Sequence, residues 1–168
     1  VSRHAAKQNP VKFGLREGQV ITVRDAINAA LVASANDAAV ALGEKIAETE
    51  HAFVTRMTGM AMELGMTRTF FQNASGLPVK DQVTTARDLA VLAAAFLHDF
   101  PQHYELFSQR SVTIGTRSRD ISRRLSAIAS AWPRSSAPMP GYAPGVSMNV
   151  TMGRPNFSAS LMHRIALR

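Results

Sequence analysis

Between Ala26 and Gly43 thirteen of eighteen residues are Ala, Val, Ile or Leu, and the run is broken at its centre by Ser34-Ala35-Asn36-Asp37. A buried hydroxyl, amide or carboxylate without a partner costs on the order of 1–3 kcal/mol. Three such side chains in four positions are an expensive way to build an ordinary core. Two readings follow. Either the polar residues cap a junction between helices, or they line a polar cleft. The Ser-x-Asn spacing allows the second, because a hydroxyl and an amide two residues apart on a tight turn can face one substrate.

The flanking sequence predicts helices. Thr22-x-x-Asp25 is a capping-box-like start, and Val23, Ala26, Ile27, Ala30 and Leu31 then keep one apolar face. Asn36 or Asp37 is a plausible N-cap for a second helix over about 37–47, apolar nearly all round and therefore expected at the centre of the bundle. Thr49 starts a third helix carrying Phe53, Met57, Met60, Ala61 and Leu64, with Gly65 as its stop. Residues 67–71 have the bias of a short strand, and 73–76 read as a turn. A fourth helix begins at Thr84 or Thr85, with Thr85-x-x-Asp88 as its box. Pro101 ends it, and 101–107 form one further short helix. Residues 1–21 read as irregular or short extended sequence, with turns near Pro10, Gly14 and Gly18.

Charge divides the chain. Residues 1–108 hold ten Lys/Arg against eleven Asp/Glu, whereas 109–168 hold nine Arg, no Lys and Asp120 alone. The net +7 therefore belongs to the last sixty residues. A strand over 111–114 and a weak helix over 121–131 are expected there, followed by five prolines and no sustained period, so 133–168 should be poorly ordered. The absence of cysteine excludes disulfides and Cys-ligated metals. The five histidines show no metal-ligand spacing, and no cofactor is expected. Met57, Met60, Met62 and Met66 read as packing residues. Val1 opens in polar sequence without an initiator Met, as the interior of a longer protein would.

Several ordered motifs carry a resemblance. Residues 15–26 lead through Gly18 and Thr22-Val23-Arg24-Asp25 into Ser34-Ala35-Asn36-Asp37-Ala38. Then come Leu64-Gly65-Met66, Phe71-x-Asn73-x-x-Gly76-Leu77-Pro78, Thr84-Thr85-Ala86-Arg87-Asp88-Leu89-Ala90, Phe100-Pro101, Tyr104 and Phe107-Ser108. Over residues 1–115 this resembles the serine-type D-alanyl-D-alanine carboxypeptidases, the low-molecular-mass penicillin-binding proteins. The resemblance implies a mainly α fragment, the helical subdomain of the serine β-lactamase/transpeptidase-like fold, with most of the sheet subdomain missing. Charge and composition divide the chain into a helical part, 1–108, and an atypical Arg/Ser/Pro-rich tail, 109–168.

In that family Ser-x-Asn is the second of three catalytic motifs. The resemblance gives Ser34 the relay of a proton towards the leaving amine. It gives Asn36 hydrogen bonds to the catalytic lysine and the substrate amide. The partners it implies for the intact protein are the peptidoglycan stem peptide and β-lactams, in the cell envelope or periplasm. No nucleic acid is expected, and no membrane association or targeting signal is encoded in this chain.

The departures concern the other two motifs. None of Lys7, Lys12, Lys45 and Lys80 has a serine three places before it, so Ser-x-x-Lys is absent. No lysine follows Lys80, so Lys-Thr-Gly is absent as well. The chain alone is expected to be inactive. Its tail has the composition of an out-of-frame reading of a GC-rich gene after about Ile114, the rival being a genuine basic tail. Three other readings remain: a nucleic-acid-binding module built on the tail, a class A β-lactamase relative, and a helical interaction module without chemistry. Against the β-lactamase, no Glu-x-x-Leu-Asn segment occurs. Ser147-Met148-Asn149 repeats the Ser-x-Asn pattern in the aperiodic tail, where no helices frame it.

Overall fold

In the computed structural model, residues 1–121 are described. The expected helix over 121–131, the expected disorder of 133–168 and Ser147-Met148-Asn149 lie outside them. Five α-helices come in order: α1 (Arg3–Ala6), α2 (Val23–Val32), α3 (Asn36–Ala47), α4 (Glu50–Glu63) and α5 (Ala86–Asp99). A 3-10 helix (Pro101–Ser108) and an antiparallel hairpin, β1 (Ser111–Ile114) with β2 (Arg117–Asp120), follow.

Capping chemistry sets most of these boundaries. The hydroxyls of Thr22, Thr49 and Thr85 accept from the N–H groups of Asp25, Ala52 and Asp88. Each satisfies a donor that the first helical turn leaves open. At the end of α4, Gly65 adopts φ +78°. Its N–H donates to Met62 O and that of Met66 to Ala61 O, the paired bonds of a Schellman stop. Met66 is thereby turned into the core, where it is fully buried.

Helix α3 takes the central place that its composition predicts, packing on α1, α2 and α4. Ala38, Ala39, Val40 and Leu42 meet Phe53 and Met57 of α4 in one core. Burying side chains of the size of Phe53 and Met57 contributes about 1.5–3 kcal/mol each. Small residues let α2 and α3 approach closely. Gly43 marks the tightest point against α4: a Cβ there would lie 2.8 Å from Phe53 Cδ1.

Four sequence expectations need correction. The first residues are not wholly irregular, because Ser2 caps α1 by accepting from Ala5 N–H. Residues 67–71 form no strand: only Phe70 pairs, bridging to Val83, because Thr69 N–H turns back to Met66 O. The N-cap of α3 is Ala35, with no side-chain cap, and Asn36 is already helical. Finally β2, which the sequence did not suggest, pairs Arg117 with Ile114 and Arg119 with Val112. Its partner strand β1 buries Val112 and packs on α2.

Candidate active site

Ser34 stands alone between α2 and α3 with φ +54°, in the left-handed region that non-glycine residues seldom occupy. The chain is held there by backbone bonds on both sides, since Ala33 N–H and Ala35 N–H both donate to Ala29 O. The hydroxyl is half-buried and makes no hydrogen bond within the described residues. A hydroxyl carries one donor and two acceptor sites, so this one retains its full capacity.

Asn36 is held very differently. It is 3% exposed, its backbone N–H donates to Val11 O at 2.8 Å, and its Nδ2 donates to Asn9 O at 2.8 Å. Asp37 continues the attachment. Its Oδ1 accepts from Phe13 N–H (2.8 Å) and Ala38 N–H (3.0 Å), and its Oδ2 from Gly14 N–H (2.8 Å) and Leu15 N–H (2.9 Å). Three successive backbone donors around one carboxylate form a concave anion seat. The left-handed Gly14 (φ +91°) bends the loop to make it. The carboxylate also lies in the first turn of α3, where the helix dipole favours negative charge. Residues 9–15 are thus fastened along the start of α3, immediately beside Ser34.

Both sequence-predicted site residues, Ser34 and Asn36, therefore sit at the α2–α3 junction. The polar interruption in the apolar run is structural and exposed at once: Asn36 and Asp37 are buried and partnered, while the Ser34 hydroxyl is left over. The sequence reading missed Asp37 as the anchor of the 13–15 loop. Its signal was present as an acid beside Asn36 in a run too apolar to bury an unpaired charge. A hollow of about 290 Å³ lies elsewhere, walled by Val1, Val20, Ile21, Ala41, Leu42 and Lys45. It is lined mostly by aliphatic groups and is separate from the Ser34 turn in sequence and lining. No group of three or more potential metal ligands occurs among the described residues.

A second polar node ties the remaining turn down. Glu50 accepts from Ala74 N–H and pairs with His4, joining α1, α4 and the 73–76 turn. That turn is the one read from the sequence, closed by Asn73 Oδ1 accepting from Gly76 N–H (2.7 Å) and Ser75 Oγ (3.2 Å).

The fold matches that of the penicillin-binding carboxypeptidases. The chain belongs to that family: residues 1–128 match the family model described as D-alanyl-D-alanine carboxypeptidase. It is 36% identical over 121 residues to the D-alanyl-D-alanine carboxypeptidase DacC of Escherichia coli, covering 72% of this chain and 30% of that protein. With the DacD enzyme of the same organism it is 40% identical over 113 residues, covering 64% of this chain and 29% of the relative. Among solved structures, penicillin binding protein 6B from Escherichia coli superposes with a TM-score of 0.67 at 37% identity, over 73% of this chain and 40% of that one. The chain thus spans about a third of the length of the curated relatives it matches. The fold is the helical subdomain of the penicillin-binding protein and β-lactamase class.

Proposed function

We propose that this chain is the helical portion of a serine-type D-Ala-D-Ala carboxypeptidase, which trims the terminal D-Ala from peptidoglycan stem peptides through an acyl-enzyme. The observation that carries the reading is the Ser34 hydroxyl, without a hydrogen bond among the described residues, on a left-handed turn beside the anchored Asn36, in a chain of this family. In the reaction the nucleophilic serine of Ser-x-x-Lys attacks the carbonyl of the penultimate D-Ala, and the lysine accepts its proton. Ser34 passes a proton to the leaving amine as the peptide bond breaks, releasing free D-Ala and leaving an ester. Water then cleaves the ester. Asn36 holds the lysine and the substrate amide in register.

This reading places the intact protein in the cell envelope, with stem peptides and β-lactams as its ligands. No described helix is long and apolar enough to cross a membrane. The chain's own residues supply neither nucleophile nor base nor carboxylate clamp, so the 168-residue chain is read as inactive by itself. The division into a helical part, 1–108, and an arginine-rich part, 109–168, belongs to the same reading, with a change of frame after about Ile114 as the origin of the tail. Two arginines that the rival nucleic-acid reading counts, Arg117 and Arg119, already donate to backbone carbonyls of the 12–14 loop.

The test is covalent labelling. The 168-residue chain should form no stable adduct with a fluorescent penicillin, because acylation needs an activated serine beside a base. A version extended to carry Ser-x-x-Lys before Val1 and a Lys-Thr-Gly strand after the hairpin should label and release D-Ala. Labelling of the short chain would overturn the assignment of roles, and failure of the extended one would overturn the carboxypeptidase reading.

A further inference from the structure

The 13–15 loop is gripped from both sides by opposite charges. The peptide unit joining Phe13 to Gly14 gives its N–H to Asp37 Oδ2 (2.8 Å), and its carbonyl accepts from Arg117 Nη1 (3.1 Å). The next unit, joining Gly14 to Leu15, repeats the pattern: N–H to Asp37 Oδ2 at 2.9 Å, carbonyl from Arg117 Nη1 at 2.7 Å. In a trans peptide the N–H and C=O point in opposite directions. Carboxylate and guanidinium therefore lie on opposite sides of the loop and face each other through two parallel peptide dipoles. Each dipole is oriented favourably for both charges, and chains of hydrogen bonds polarise one another. The result is an ion pair bridged by backbone.

The two residues lie in close contact. A Cβ built on Gly14 would fall 2.2 Å from Arg117 Nη1, so a larger residue there would push the guanidinium aside, and the φ of +91° itself favours glycine. Arg119 adds a third tie, Nη2 to Lys12 O at 3.2 Å. On its other side the same segment accepts the Asn36 N–H and Nδ2 bonds at Val11 O and Asn9 O.

The geometry points to Arg117 as a positioning residue for the Ser34–Asn36 turn, acting through the 13–15 loop and Asp37. This rests on the reading of Ser34 and Asn36 as site residues. Arg117 touches neither of them. It fixes the loop on which the start of α3 is hung, and so couples the hairpin to the junction that presents the Ser34 hydroxyl.

Amide hydrogen exchange in the 168-residue chain tests it, comparing the parent with Arg117→Gln and Arg117→Lys. Gln keeps part of the stem and an N–H₂ donor but no charge, whereas Lys keeps the charge and loses the fork. In Arg117→Gln, the N–H groups of Gly14, Leu15 and Asn36 should exchange about three- to tenfold faster, a modest gain because the guanidinium is partly open to solvent. Met57 in α4 should keep its rate. Arg117→Lys should recover part of the protection. Asp37→Asn should abolish the difference between Arg and Gln at position 117, since the charge facing the guanidinium is then gone. Unchanged exchange at Gly14 and Leu15 in Arg117→Gln would overturn the bridged pair. Faster exchange there with Asn36 unaffected would overturn the positioning role. Should Arg117→Gln fail to fold, Arg117→Lys against the parent carries the same comparison. These outcomes do not depend on penicillin labelling, so a failed carboxypeptidase reading would be seen separately, in the extended protein.

Discussion

Thr69 Oγ1 donates to Asp88 Oδ2 at 2.7 Å, joining the segment after α4 to the first turn of α5. A carboxylate cannot donate, so the Thr69 hydroxyl proton must point to Asp88. The 2.9 Å contact between the Thr69 and Thr84 hydroxyls then has Thr84 as its donor. Arg68 N–H completes the node at 2.9 Å. The Asp88 side of the Thr85 capping box is thus diverted: Thr85 caps Asp88 N–H, while the carboxylate serves a loop distant in sequence.

This node predicts an acid-sensitive contribution to stability. Burial pushes the Asp88 carboxyl up, but the hydrogen bonds from Thr69 and Arg68, with help from Thr85 and Arg87, outweigh it and hold the group below its ordinary value of 3.8. A carboxylate lowered on folding stabilises the fold fully above its unfolded value, and that contribution fades as pH falls through the folded one. Urea midpoints should therefore drop as pH falls below about 4. Asp88→Asn should be less stable at neutral pH and should show a shallower acid slope. An Asp88→Asn slope equal to the parent's would assign the acid loss to other carboxylates.

Removing the loop anchor should be costly. Asp37→Ala leaves four backbone N–H groups without this acceptor, those of Phe13, Leu15 and Ala38 buried. At about 1–3 kcal/mol for each unsatisfied buried group, the loss should reach about 3 kcal/mol or more. Denaturant unfolding measures it, and a loss under about 1 kcal/mol would mean that water replaces the carboxylate freely.

At Gly43, Ala should be unwelcome. The added Cβ meets the fully buried Phe53 ring, which has no room to retreat. Overpacking of this kind costs about 1–3 kcal/mol. The same substitution at Gly59, where a Cβ meets nothing within 4 Å, is the control and should stabilise the helix slightly.

Ser34 should trade stability against chemistry. The left-handed conformation costs a non-glycine residue roughly 1 kcal/mol, so Ser34→Gly should raise the unfolding free energy by up to about that much. In the extended, acylating protein, loss of the hydroxyl should slow penicillin acylation by about 10²–10⁴-fold, the usual worth of acid–base assistance. Acylation within about threefold of the parent would reduce Ser34 to a turn residue.

The helices were legible because local signals and packing agree. Three threonine caps and the Gly65 stop lie within a few residues of the apolar stripes they bound, so no distant information was needed. The failures have a common cause. Asp37 and Asp88 look like helix-start acids, and both are used by backbone about twenty residues away. Residues 67–71 have strand composition, yet a turn bond and the Asp88 node take their backbone before a ladder can form. Arg117 and Arg119 read as part of a basic tail, since nothing in their own neighbourhood says that carbonyls of residues 12–14 are waiting for them. The polar break at the α2–α3 junction was readable from Ser34-Ala35-Asn36-Asp37, but the division of labour within it was not. Which polar group is spent on the fold and which is left for chemistry is decided by tertiary partners.

The grip of Arg117 on Gly14 spans 103 residues, which sets an order on the life of the chain. Helices α2, α3 and α4 are neighbours in sequence and can assemble as soon as they are made. The loop beside the serine turn can dock on Asp37 with them, but its outer ties wait for the hairpin. Closing so long a span adds little to the equilibrium cost, since the entropy grows only with the logarithm of length, but it delays the event. The outer grip on the loop is therefore the last part of this region to set during synthesis and the part that a truncation before residue 117 would remove.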